Sequence, residues 1–146
     1  MGRGIAMQRR LGRAFAEREV DKQYEAVVAG QVPGDAGTIT LPLAADWPRR
    51  PLQKVDAEHG RPSETRWTVA ARQADATRLL LEPMTGRTHQ LRVHLQAIGH
   101  PILGDALYAP PQVLARSPRL LLHATRLRLA HPGSGEPLVF ESPAPF

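Results

Sequence analysis

Apolar and polar residues alternate over Lys22–Gly30, KQYEAVVAG, a two-residue period that predicts a strand. The same reading gives strands at Ser63–Arg72, where Thr65, Trp67 and Val69 share a face, and at Ala76–Pro83, with QADA forming the hairpin between them. A long strand is expected over Arg119–Pro132, with Leu127 and Leu129 set against Arg126 and Arg128, and a last one over Pro137–Pro143. Thr38–Leu43 reads as a short strand that Pro42 makes edge-like, after turn chemistry at Val32–Gly37. A period of 3.6 appears twice. Residues 5–17 place Ile5, Leu11, Ala14 and Phe15 on one face, away from Arg9, Arg10 and Arg13. Thr88–Ile98 places Leu91, Leu95 and Ile98 on another, with Thr88 as N-cap and Gly99 as stop. Ala45–Pro62, with three prolines and four basic residues, reads as one irregular loop.

Strands dominate and two helices accompany them, which defines an α+β domain around a mostly antiparallel mixed sheet. The 146 residues make one domain, residues 1–146, with no repeat and no linker that would split it. Aromatic residues are 5% of the chain, so the core must be aliphatic. Lys and Arg exceed Asp and Glu by 19 − 14 = 5, which favours an anionic partner, nucleic acid first. With no cysteine, disulfide and thiolate chemistry are excluded, and a zinc site would need His and carboxylate ligands only. The chain has no apolar run of membrane-spanning length and its start lacks a signal peptide's apolar core. A cytoplasmic monomer with no membrane partner is the default expectation.

Chemistry concentrates in TGRTHQLRVHLQAIGHPILGD, Thr85–Asp105. On a helical wheel His89, Arg92 and Gln96 lie together, away from the apolar stripe. TGRT, with Arg87, sits at the helix start, where free backbone N–H groups and the dipole attract anions. This combination suits a phosphate or a carboxylate. It also suits a plain solvated face with Arg92 in a surface ion pair. A metal is disfavoured, because His89 and His94 point to different sides and His94 and His100 are split by the helix stop. Tyr24 could face the core or a cleft. Asp105 could be a turn acceptor or a catalyst.

TGRTHQLRVHLQAIGHPILGDALYA resembles the C-terminal signature of the RluA-type RNA pseudouridine synthases. FAEREVDKQYEAVVAG, LPLAADWPRRPLQKV, GRPSETRW and PRLLLHATRLRLAHP fall in the same order as in that family, so the resemblance runs over residues 14–146. It implies the C-terminal part of the pseudouridine synthase catalytic fold. It further implies an enzyme that isomerises uridine to pseudouridine in RNA, with large-subunit ribosomal RNA, tRNA anticodon stem-loops or both as partner, and with no cofactor and no metal. The target nucleotide is flipped out, the N-glycosidic bond is broken, and the uracil is rejoined through carbon 5. By the same resemblance Tyr24 stacks on the target base, Arg92 pairs with the catalytic aspartate, and Leu91 walls the pocket. RNA contacts are expected from Arg49, Arg50, Lys54, Arg61, Arg87 and His89.

The family's catalytic aspartate lies in a His-Arg-Leu-Asp motif, and none of Asp21, Asp35, Asp46, Asp56, Asp75 and Asp105 follows such a tripeptide. The expectation is therefore a partial catalytic domain, inactive as this chain alone, with Arg92 left as an unpaired pocket cation. The alternative is a non-catalytic RNA-binding remnant of the same fold.

Overall fold

The computed structural model describes residues 21–130 and 133–146. The helix expected over residues 5–17 lies outside them. Among the described residues eight strands form: β1 (Asp21–Ala29), β2 (Ala36–Ile39), β3 (Leu43–Ala45), β4 (Gln53–Val55), β5 (Thr65–Arg72), β6 (Ala76–Pro83), β7 (Leu122–Ala130) and β8 (Pro137–Glu141). Helix α1 spans Gln90–Ala97 and a single turn, α2, spans Pro111–Leu114. Six strands make one sheet in the order β2-β5-β6-β1-β7-β8, and every pairing is antiparallel.

β1 lies inside the sheet because both its faces have apolar cover. Ala26 and Val28 point into a cluster with Leu79 and Leu81 of β6 and Leu91 and Leu95 of α1. Val27 points the other way, onto Ala76, Leu103 and Val113. The register sets Tyr24 opposite Leu81 and Ala26 opposite Leu79, so alternate residues of both strands meet the helix. Leu79, Leu81 and Leu95 are wholly buried, each contributing about 1.5–3 kcal/mol of transfer free energy.

Three local expectations need correction. The segment Ala45–Pro62 is not one irregular loop. β3 and β4 pair as a small separate hairpin, with a 3-10 turn at Trp47–Arg49 between them. The hairpin is held by Leu43 and Leu52, which pack on Val93 of α1 and on Tyr108. Thr38–Leu43 does not form one strand, because the chain leaves β2 after Ile39 and enters β3 only at Leu43, beyond Pro42, which supplies no N–H for a ladder. Finally, Thr88 does not cap the helix. α1 begins at Gln90, and His89 before it is left-handed, with φ 53° and ψ 20°. The single turn α2, opened by Pro110-Pro111, was too short to leave a periodic signal.

Candidate RNA-modification site

The residues singled out at the helix start and on β1 converge on one cavity. It has a volume of about 270 Å³ and is lined by Lys22 and Tyr24 of β1, Thr85, Gly86, Arg87 and His89 of the turn, Leu91 and Arg92 of α1, and Leu122 of β7. A bulge brings Tyr24 there. The β1–β7 register slips between Gln23 and Tyr24, and the Thr125 hydroxyl donates to the Gln23 carbonyl at 3.1 Å. Bulges re-aim neighbouring side chains, and Tyr24 is half-buried against the edge of the core. Leu91 has its side chain in the same core cluster, so the helix is clamped while its other residues face the cavity.

Arg92 is not an unpaired cation. Its Nε donates to Asp105 Oδ2 at 3.1 Å and its Nη2 to Asp105 Oδ1 at 2.5 Å. Asp105 has no solvent exposure and also accepts the backbone N–H groups of Leu107 at 3.0 Å and Tyr108 at 3.1 Å. One carboxylate thus caps a turn and grips a guanidinium, a bidentate arrangement that fixes the fork's plane. Gly104 makes the approach possible: its φ is 77°, and a Cβ there would collide with the Arg119 carbonyl. The Arg92 guanidinium also lies 5.3 Å from the centre of the Tyr108 ring.

Tyr108 extends this network. Its hydroxyl accepts the Gln53 N–H at 3.0 Å and lies 2.6 Å from His89 Nδ1. The Tyr108 hydroxyl thus links the hairpin backbone to the His89 ring. Burial, reinforced by the Arg92 charge, pushes the His89 pKa below its ordinary 6.5 against the opposing pull of Asp105, so the ring is neutral at neutral pH. Burial likewise raises the Tyr108 pKa.

Gln90 organises the turn at the helix start. Its Oε1 accepts the Thr85 hydroxyl at 2.6 Å and the Arg87 N–H at 3.1 Å, while its Nε2 donates to the Glu64 carbonyl and to Thr65 Oγ1. The Arg87 N–H is therefore already taken and is not a free anion donor. The Arg87 guanidinium donates to the Pro62 carbonyl at 2.9 Å, tying the cavity rim to the segment after the hairpin. His94 is wholly buried, between Thr65 Oγ1 and the Leu41 carbonyl, each at 2.8 Å. It is a packed core histidine. Among the described residues no group of His, Asp and Glu side chains could hold a metal ion.

The remaining expected RNA contacts sit apart from the cavity, on and beside the hairpin. Arg49 pairs with Asp46 at 3.3 Å, Lys54 approaches Asp56 at 3.9 Å, and Arg50 and Arg61 are exposed. The cavity also has walls that sequence reasoning passed over, namely Lys22 and Leu122. Lys22 carried a signal, since it falls in the same alternating strand as Tyr24. Asp105 and Tyr108 follow the helix by a loop, and no local pattern could pair them with Arg92 and His89.

The RNA pseudouridylate synthase family model matches residues 1–97, and the chain belongs to this family. Among curated relatives, it is 51% identical over 142 residues to the dual-specificity RNA pseudouridine synthase RluA of Escherichia coli K12, covering 97% of this chain and 65% of that protein. It is 50% identical to the Yersinia pestis protein of the same name, covering 69% of it. The chain thus spans just under two thirds of the length of the Escherichia coli relative. Human RNA pseudouridylate synthase domain containing 1 superposes with a TM-score of 0.82 at 32% identity, over 99% of this chain and 62% of that one.

Proposed function

We propose that this chain is the base-binding part of an RNA uridine-to-pseudouridine isomerase acting on ribosomal RNA, on tRNA or on both. The observation that carries the reading is the convergence of Tyr24, Leu91 and Arg92, from a strand and a helix distant in sequence, on one 270 Å³ cavity. Tyr24 offers an aromatic face for a flipped uracil. Leu91 closes the pocket on the apolar side. Arg92, held by Asp105 through two nitrogens, keeps Nη1 without a partner among the described residues. That N–H pair is a ready donor to the carboxylate that attacks the nucleotide. Such a carboxylate in a His-Arg-Leu-Asp context is absent from these 146 residues. By themselves, then, they bind RNA and do not turn it over. Turnover requires the carboxylate from another segment.

The experiment is release of carbon-5 tritium from labelled ribosomal RNA and tRNA, alongside RNA binding. Binding without release is the expected result for the 146-residue chain. Release from this chain would show that a carboxylate within it does the chemistry. An absence of RNA binding at low salt would remove the functional reading altogether.

The reading as a stand-alone RNA-binding module draws on a separate observation: Arg50 and Arg61 of the hairpin region are exposed and make no ion pair among the described residues. Salt-dependent binding that is indifferent to Tyr24→Ala would favour it.

A further inference from the structure

The exposed tip of the β3–β4 hairpin carries the inference. Trp47 is 66% exposed, the most exposed large hydrophobic residue among those described. An indole in water is costly, and a lone one needs no explanation unless its surroundings hold it ready. Here they do. The tip is closed by backbone hydrogen bonds from Asp46 to the Leu52 carbonyl, from Arg49 to the Asp46 carbonyl and from Leu52 to the Arg49 carbonyl, at 2.9, 2.9 and 3.0 Å. The Arg50 guanidinium lies 4.8 Å from the centre of the Trp47 ring and has no carboxylate partner among the described residues. The indole is thus oriented and exposed, with a cation over its ring that has no carboxylate partner among the described residues.

The tip is also fixed relative to the cavity. Gln53 of β4 donates to Tyr108, the Tyr108 hydroxyl is hydrogen-bonded to His89 of the cavity wall, and Leu43, Leu52, Val93 and Tyr108 pack together beneath the hairpin. A ligand long enough to enter the cavity and reach the tip would meet two surfaces held in one rigid frame.

We propose that Trp47 is a stacking platform for an unpaired base of the RNA outside the cavity, with Arg50 taking the adjoining phosphate. This deepens the proposed function and rests on it. An exposed aromatic ring with a guanidinium on one side and no carboxylate to neutralise it is a pairing that holds single-stranded nucleic acid, because every base has a π-face and every nucleotide a phosphate. A protein partner would use the indole as an apolar knob. It would not need the cation to be free.

The test titrates the 146-residue chain with oligouridylate while tryptophan emission is followed, and repeats the titration with inorganic polyphosphate. Oligouridylate should quench the emission, and polyphosphate, which has charge and no base, should not. Trp47→Leu should weaken oligouridylate binding by roughly five- to a hundredfold and lose the quench, although half-buried Trp67 remains. Trp47→Phe should keep most of the affinity, and both variants should melt with the wild type because the side chain is exposed. A Trp47→Leu protein that binds oligouridylate as the wild type does, or keeps the quench, overturns the platform alone. A wild-type chain that binds no RNA overturns the proposed function, and the platform with it.

Discussion

Arg92 and Asp105 form a two-pronged ion pair, with the guanidinium largely buried and the carboxylate wholly so. They are 13 residues apart and belong to a helix and the loop that follows it. The same carboxylate also holds the N–H groups of Leu107 and Tyr108, so cavity wall and loop share one anchor.

Removing that anchor should be expensive. Asp105→Ala leaves a buried cation without its partner and frees two backbone donors. A stability loss of about 3–5 kcal/mol is expected, read as a lower urea midpoint with an unchanged slope. Arg92→Leu should cost less, since it leaves a carboxylate that still caps the turn. Equal losses would mean that the ion pair, which both variants remove, and not the backbone contacts, dominates.

Helix α1 stays on the sheet through Leu95, which has no exposure and meets Ala26, Val28, Leu79 and Leu81. Leu95→Ala should destabilise by about 2–5 kcal/mol through lost transfer energy and the cavity left behind. Gln96→Ala, on the exposed side of the same helix, should change the midpoint little. A small effect of Leu95→Ala would show that the cluster collapses around the gap.

Stability should depend on pH through His94. Burial lowers its pKa below the ordinary 6.5, against the raising effect of the Leu41 carbonyl. The unfolded chain therefore binds a proton at a pH where the folded chain does not. The contribution is fully present above 6.5 and declines as pH falls from there to the lowered value. His89 acts in the same direction. The urea midpoint should fall on acidification below 6.5, and His94→Gln should flatten part of that fall while lowering stability overall.

RNA binding should weaken with salt along a straight line of log affinity against log salt. Arg50→Ala should weaken binding about equally for all sequences and reduce the slope by about one unit. Tyr24→Ala should weaken binding of uridine-containing RNA with little change in slope, because stacking releases no counterion. A changed slope for Tyr24→Ala would place its effect on the charge network instead.

Much of this fold is written in local periodicity. The strands around Tyr24, Trp67 and Leu79 and the apolar stripe Leu91–Leu95–Ile98 lie close to where alternation and the 3.6 period put them, because each period follows from backbone geometry alone. The chemistry of GRTHQLR was legible as residue types at a helix start, and the family as a long run of ordered segments. Tertiary structure decided the partners. Arg92 looked unpaired because the family's His-Arg-Leu-Asp carboxylate is missing from the sequence, whereas the turn at Gly104 folds Asp105 back onto it from beyond the helix stop. His89 became a cavity wall, and His94 a core residue, through Tyr108, Thr65 and Leu41, which no spacing rule connects to them. The small hairpin was hidden by its prolines, and it forms because Leu43 and Leu52 find cover on α1 and Tyr108. Periodicity reports which face of a segment is buried. What that face meets depends on segments far away in the chain, and those meetings built the cavity.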